Sequence, residues 1–224
     1  MNRMLINGML IKAIHLMLVV MFVGATLSSA EELKQILLPK PELEGGRPLM
    51  QVLKDRHSTR EFGTEKLSMQ VLSNLLWAAA GINRPESGKR TAPSAVNWQE
   101  TDVYVATADG LYLYDAKTNS LKQILAQDIR AMTGTQSYVK EAPVNLVYVA
   151  DFSRMGKTTD EEKVLYSAAG TGFISQNVYL FCASAGLATV VRASIDRSAL
   201  AKIMKLRPEQ RIILAQSIGY PKKQ

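Results

Sequence analysis

Arg56-His57-Ser58-Thr59-Arg60-Glu61-Phe62 sets two guanidiniums four residues apart with a hydroxyl between them. Arginine offers forked donors that stay charged, and serine adds a neutral one, so the set suits a single phosphate group. Taken alone, the same run also suits a solvated basic turn. Thr91-Ala-Pro93-Ser94-Ala95-Val96-Asn97-Trp98-Gln99 presents hydroxyl and amide groups in a proline-shaped stretch. It suits the edge of a polar ring, and equally a plain connection. Thr189-Val-Val-Arg192-Ala193-Ser194 ends in small residues that let backbone N–H groups approach a ligand; a strand end reads the same way. Gly219-Tyr-Pro221-Lys222-Lys223 places lysines where they reach a phosphate or simply water.

Several other chemistries are disfavoured. Gly170-Thr-Gly172 lacks the third glycine of a dinucleotide fingerprint and lies in an apolar run rather than between a strand and a helix. No P-loop or Gly-x-Ser-x-Gly elbow is present. Two histidines argue against a His-rich metal site, and no metal is expected. The one cysteine, Cys182, stands in an apolar run and reads as a buried core thiol. The net charge of +7 favours anionic ligands, but no basic run is interleaved with aromatics, so nucleic acid is not expected as a partner.

The elements that must position these residues begin after a leader. Arg3 and Lys12 precede an apolar stretch over Ala13–Ala25, followed by Thr26-Leu-Ser28-Ser-Ala30. A charged start, an apolar middle and small residues at the end read as a secretory signal peptide over 1–30, and place the protein outside the cytoplasm, in a bacterial periplasm. An uncleaved membrane anchor is the alternative. Residues 31–48, rich in Pro and Gly, read as an extended arm rather than a packed element. The remainder, 49–224, is one domain. It opens with a short helix over Leu49–Asp55, then a helix capped by Ser68 and stopped at Gly81. A long loop spans 83–97. Strands are expected over Asp102–Ala106 and Leu111–Tyr114, with Asp109-Gly110 as the turn. Asn119–Met132 reads as helix, Val144–Ala150 as a buried strand, and Glu161–Ala185 as a long helix ended by Gly186. Its part from Ala168 onward is apolar almost all round, which implies burial on most sides. A strand at Thr189–Val191, a helix over Arg197–Met204 and a strand over Gln210–Gly219 complete the chain. Without a βαβ repeat, the class is α+β with a mainly antiparallel sheet.

Arg-His-Ser-Thr-Arg-Glu-Phe, Leu67-Ser68 opening a helix, Pro-Ser-Ala-x-Asn-x-Gln at 93–99, Gln176-Asn177, Ala185-Gly-Leu187 and Ile218-Gly-Tyr-Pro221 follow in this order. The ordered set resembles the nitroreductase-like family of FMN-dependent oxidoreductases, over roughly residues 49–221. Leu76-Trp-Ala-Ala-Ala-Gly-Ile82 and Gly110-Leu-Tyr-Leu-Tyr-Asp115 are similar to its SagB/thiazole-oxidase branch. The resemblance implies a four- or five-stranded mixed sheet wrapped by helices, in an intertwined homodimer with FMN at the interface. It implies that Arg56, His57 (mainly through its backbone), Ser58 and Arg60 hold the FMN phosphate and ribityl chain, with Lys222 or Lys223 helping. Pro93, Ser94, Ala95 and Asn97 would reach the flavin from the other subunit, and Ala193 and Ser194 would lie over its ring. The Pro or Gly often found in that last segment is replaced here by Val191-Arg192. The activity implied is hydride transfer to or from a small-molecule substrate, with NAD(P)H or another reductant as donor and no catalytic side chain required. A non-enzymatic flavin- or ligand-binding envelope protein, and a flavin-dependent dehydrogenase or oxidase, are the competing readings.

Overall fold

The computed structural model describes residues 34–223. The expected signal segment, and the first residues of the arm, lie outside them. Seven strands form one sheet: β1 (Gln35–Leu37), β4 (Thr101–Thr107), β5 (Gly110–Asp115), β6 (Ser120–Leu125), β7 (Val144–Asp151), β8 (Ala188–Arg192) and β9 (Gln210–Gly219). Their order across the sheet is β1-β6-β5-β4-β7-β9-β8. Each pairing is antiparallel. The resemblance implies four or five strands in a mixed sheet. The larger count comes from the β4–β5–β6 meander with β1 added at its outer edge.

The alternation of side chains along a strand explains why β7 reads as a continuous apolar run. Leu146 and Tyr148 point into one core with Val103, Val105 and Ile218. Val147 and Val149 point into a second, with Tyr104, Ala106 and Ile212. The central strands are therefore covered on both faces. Helix α1 spans Leu49–Asp55. Helix α2 (Met69–Ala80) opens on Ser68, whose Oγ accepts from the Val71 N–H at 3.2 Å. Its Leu72, Leu75, Leu76 and Ala79 pack into the first core beside Ile174 and Val178 of helix α3 (Asp160–Ala185). Leu200 of helix α4 (Arg197–Ile203) and Met204 just beyond it close the second core.

Three expectations are corrected. Residues 119–132 are not a helix: β6 occupies 120–125 and a single 3-10 turn follows at Arg130–Thr133. Cross-strand pairing decides the matter, since Leu121 lies opposite Tyr114 and the Lys122 ammonium holds Asp115 at 2.8 Å. The arm is partly packed. β1 pairs with β6, and Leu38 is buried behind it. The 83–97 loop carries its own small hairpin, β2 (Ile82–Arg84) with β3 (Lys89–Arg90).

Helix α3 is built as its sequence suggests. Thr159 and Glu162 form a reciprocal capping box, three acids occupy the first turn, and Gly186 ends the helix at φ +69°. Within one chain it is buried on one face only. Ser167, Gly170, Thr171, Ile174, Val178 and Cys182 face the sheet. Val164, Leu165 and Phe173 remain 56%, 63% and 49% exposed.

Candidate functional site

The segment after α1 is held against β8, the edge strand. Its backbone is extended enough for the Thr59 N–H to reach the Thr189 carbonyl at 2.9 Å, and Phe62 bridges to Pro221. The first motif, the end of β8 and the C-terminal tail therefore share one region. Tyr179, projecting from α3, joins two of them: its hydroxyl pairs with Ser58 Oγ at 2.8 Å and accepts from the Val191 N–H at 2.9 Å. The Arg56 guanidinium lies over the Tyr179 ring, 5.1 Å from its centroid. That stacking fixes one cation without consuming its forked donors. His57 Nδ1 is 2.6 Å from the Asp55 carbonyl, so its side chain serves the local turn. The Lys222 N–H reaches the Glu61 carbonyl at 3.4 Å. Among the described residues, no carboxylate pairs with Arg56, Arg60, Lys222 or Lys223.

Ala193 and Ser194 emerge exposed just beyond β8. The Ser194 hydroxyl pairs with that of Thr135 at 2.9 Å, and its carbonyl accepts from the Thr135 N–H at 3.1 Å. A cavity of about 290 Å³ beside the first motif is lined by Arg47, His57, Thr59, Tyr179 and Thr189. A larger cavity, about 810 Å³, opens near the start of α2 and the β4–β5 turn. Of the expected site residues, only His57 lines the smaller cavity and only Lys222 the larger.

The Pro93–Gln99 stretch is not brought to this region within one chain. It packs beside Gly170 and Ile174, roughly 8–14 Å along α3 from Tyr179 at the helical rise of about 1.5 Å per residue. Its backbone is unusual. Val96, Asn97 and Gln99 have φ of 49°, 58° and 49°. Val96, a β-branched residue in the left-handed region, is also 84% exposed. Such conformations are strained and gather at functional sites. The loop is tied down by the Gln99 N–H to Ser94 Oγ at 2.9 Å and by Arg90 Nε to Gln99 Oε1 at 2.8 Å. Pro93 and Asn97 are left exposed.

Glu100, directly after this loop, is fully buried, and neither carboxylate oxygen has a hydrogen-bond partner among the described residues. Burial raises its pKa above the ordinary carboxylate value. Cys182 is the buried thiol expected, with its pKa pushed up to about 12 by burial. Tyr179 and Glu100 escape a reading based on motifs: Tyr179 lies inside an apolar helical run, and Glu100 follows a motif without belonging to it. Arg192 falls within the third motif, but its burial is not legible there.

The sheet and its helices define the class of an α+β protein built on a large antiparallel sheet. The chain belongs to the nitroreductase family, whose model matches residues 53–220. That family is one of oxidoreductases. The chain is 30% identical to the putative nitroreductase of Methanocaldococcus jannaschii over 71% of its own length and 85% of that protein's. It superposes on the crystal structure of a putative nitroreductase from Ralstonia eutropha with a TM-score of 0.82 and 45% identity, covering 85% of this chain and 90% of that one. A nitroreductase structure from Desulfovibrio desulfuricans, solved in complex with FMN, shares the fold with a TM-score of 0.58 and 22% identity, covering 80% and 89%.

Proposed function

We propose that this protein is an FMN-dependent oxidoreductase, exported by its first thirty residues, that works as a homodimer on a small organic substrate. One observation carries the reading: Arg56 and Ser58 are tied through Tyr179 to β8. A phosphate-suited segment and the strand end proposed to flank a flavin ring are thereby held in fixed relation.

The donor set fits FMN. A phosphate dianion needs unpaired cations, and Arg56, Arg60, Lys222 and Lys223 supply them. A dinucleotide finds no counterpart, because Gly170 and Gly172 are interior residues of α3 rather than a strand-to-helix turn. When bound, the flavin supplies two-electron hydride chemistry. The chain's own residues bind, orient and exclude water. Arg56, Ser58 and Arg60 hold the phosphate end, with Lys222 or Lys223 closing over it. Ala193 and Ser194 offer backbone N–H groups to the ring, and no side-chain acid or base is assigned. Pro93, Ser94, Ala95 and Asn97 reach a flavin only from a second copy, which the strained, outward-facing loop supports. The exposed Leu165 and Phe173 on α3 supply an apolar face for that copy to cover. NAD(P)H is not expected outside the cytoplasm, so another reductant, or the substrate itself, delivers the electrons.

An absorbance spectrum of the purified mature protein tests this reading. A flavin spectrum is expected, with heat releasing FMN and not FAD. Colourless protein that binds no added FMN at micromolar concentration sinks it. Steady-state turnover with any donor–acceptor pair separates an enzyme from a flavin-binding envelope protein.

A further inference from the structure

Arg192 closes β8 with its side chain only 6% exposed. Its guanidinium is well supplied with acceptors, all of them neutral. Nη1 donates to the Thr133 carbonyl, Nη2 to Thr133 Oγ1 at 2.9 Å and to Asn145 Oδ1 at 2.7 Å, and Nε to Ser217 Oγ at 3.3 Å. Thr133, Asn145 and Ser217 are themselves fully buried. No carboxylate pairs with Arg192 among the described residues. Burial pulls its pKa down to about 10, which still leaves it a cation at neutral pH.

A buried charge without a counter-ion is costly and uncommon, because the charge is removed from water and nothing opposite replaces the water. Ala193–Ser194 is the exposed backbone next to this charge in the chain. Successive Cα atoms are about 3.8 Å apart, so Arg192 lies within about 8 Å of Ser194 along the chain. Space repeats the connection. The guanidinium holds Thr133, and Thr135, two residues on, is paired to Ser194 through both backbone and side chain. The backbone at Gly134, between them, approaches Arg192 Nη1 so closely that there is no room for a Cβ there. The Thr133–Thr135 segment thus links the buried cation to Ser194.

We propose that Arg192 is a positioning residue for redox chemistry: its unneutralised guanidinium favours negative charge on a flavin seated at Ala193–Ser194 and raises that flavin's reduction potential. This rests on the FMN reading above. Two electrons and one proton added to the ring leave one negative charge on it, which the nearby cation stabilises, whereas the oxidised ring carries none. At a separation of about 12 Å and an effective dielectric of about 20, one unit charge changes an equilibrium by on the order of tenfold. The affinity for reduced over oxidised FMN should fall by that factor when the charge is cancelled, which for a two-electron couple is about 30 mV.

The experiment measures the reduction potential of FMN-loaded protein by equilibration with a reference dye. Wild type is compared with Arg192→Gln, which removes the charge, and Asn145→Asp, which keeps the guanidinium and sets a carboxylate where its amide partner stood. Asn145→Asp keeps the measurement available should Arg192→Gln fail to fold. Lower potentials in the FMN-loaded variants, with the affinity for oxidised FMN little changed, support the proposal. Wild-type potentials in flavin-loaded variants overturn it, whatever happens to their melting temperatures, because a purely structural arginine moves stability and not potential. Wild-type protein that takes up no FMN at all overturns the underlying reading, and this inference with it.

Discussion

At the scale of single residues, the first motif and the buried acid behind the second make separate claims. Arg56 is restrained by the Tyr179 ring yet unpaired with any described carboxylate, so its charge is available to a phosphate. Arg56→Ala should cost roughly 1.5–3 kcal/mol of FMN binding, about ten- to a hundredfold in affinity; fluorescence titration of apoprotein checks this, and an unchanged Kd refutes the assignment. Glu100 yields a prediction in pH. Its carboxyl holds a proton to higher pH when folded than when unfolded. Its contribution to stability is therefore complete below the unfolded pKa, near 4.3, and is lost as pH rises through the folded value. Glu100→Gln should melt much as wild type does at pH 4 and gain on it as pH rises toward 8. A pH-independent difference between the two melting curves counts against a protonated buried acid. Arg56, Ser58 and Arg60 stand out in the sequence because their types and spacing suit a phosphate. Tyr179 does not, because a tyrosine in an apolar helix looks like core until the fold reveals what its hydroxyl meets.

Secondary-structure elements repeat this contrast. Helices α1, α2 and α3 and strands β4, β5, β7 and β9 announce themselves by periodicity, by Ser68 as a cap, and by glycine stops. β6 does not, because its conformation comes from pairing with β5 and β1 rather than from its own residues. The small β2–β3 hairpin is hidden for the same reason. The end of α3 is the simplest place to put a number on local structure. A Cβ added at Gly186 would meet nothing within 4 Å, so replacing it tests the backbone alone. With φ at +69°, Gly186→Ala should cost about 1 kcal/mol and lower Tm by roughly 2–4 °C in a chain of this size. Phe173 tests the outer face of the same helix. On a monomer, Phe173→Arg is a surface change worth about 0.5 kcal/mol or less. On a helix packed against a second copy it should abolish the dimer, and light scattering at micromolar concentration distinguishes the two.

For the whole molecule, the proposed arrangement places the two motifs of one flavin site on different chains. A mixed dimer carrying Arg56→Ala on one chain and Asn97→Ala on the other decides it. With shared sites, one site carries both lesions and the other neither, so about half of the FMN stays tightly bound. With sites built from single chains, both weaken together. The α+β class and the antiparallel character of the sheet were legible from element order, because no βαβ repeat interrupts it. Strand count was not, since the outer strands depend on contacts between distant segments.

The Tyr179 hydroxyl joins segments 121 residues apart in sequence, and its second partner is the backbone of β8, later still in the chain. The phosphate segment is thus made early and completed late. A growing chain that stops before β8 carries Arg56 and Ser58 on a strip with no wall to lean on, and has nothing to grip a cofactor with. Under the proposed function, flavin capture then reports on finished folding: a yellow molecule is one whose early, middle and late segments have met, and colour becomes an assay for assembly that needs no substrate.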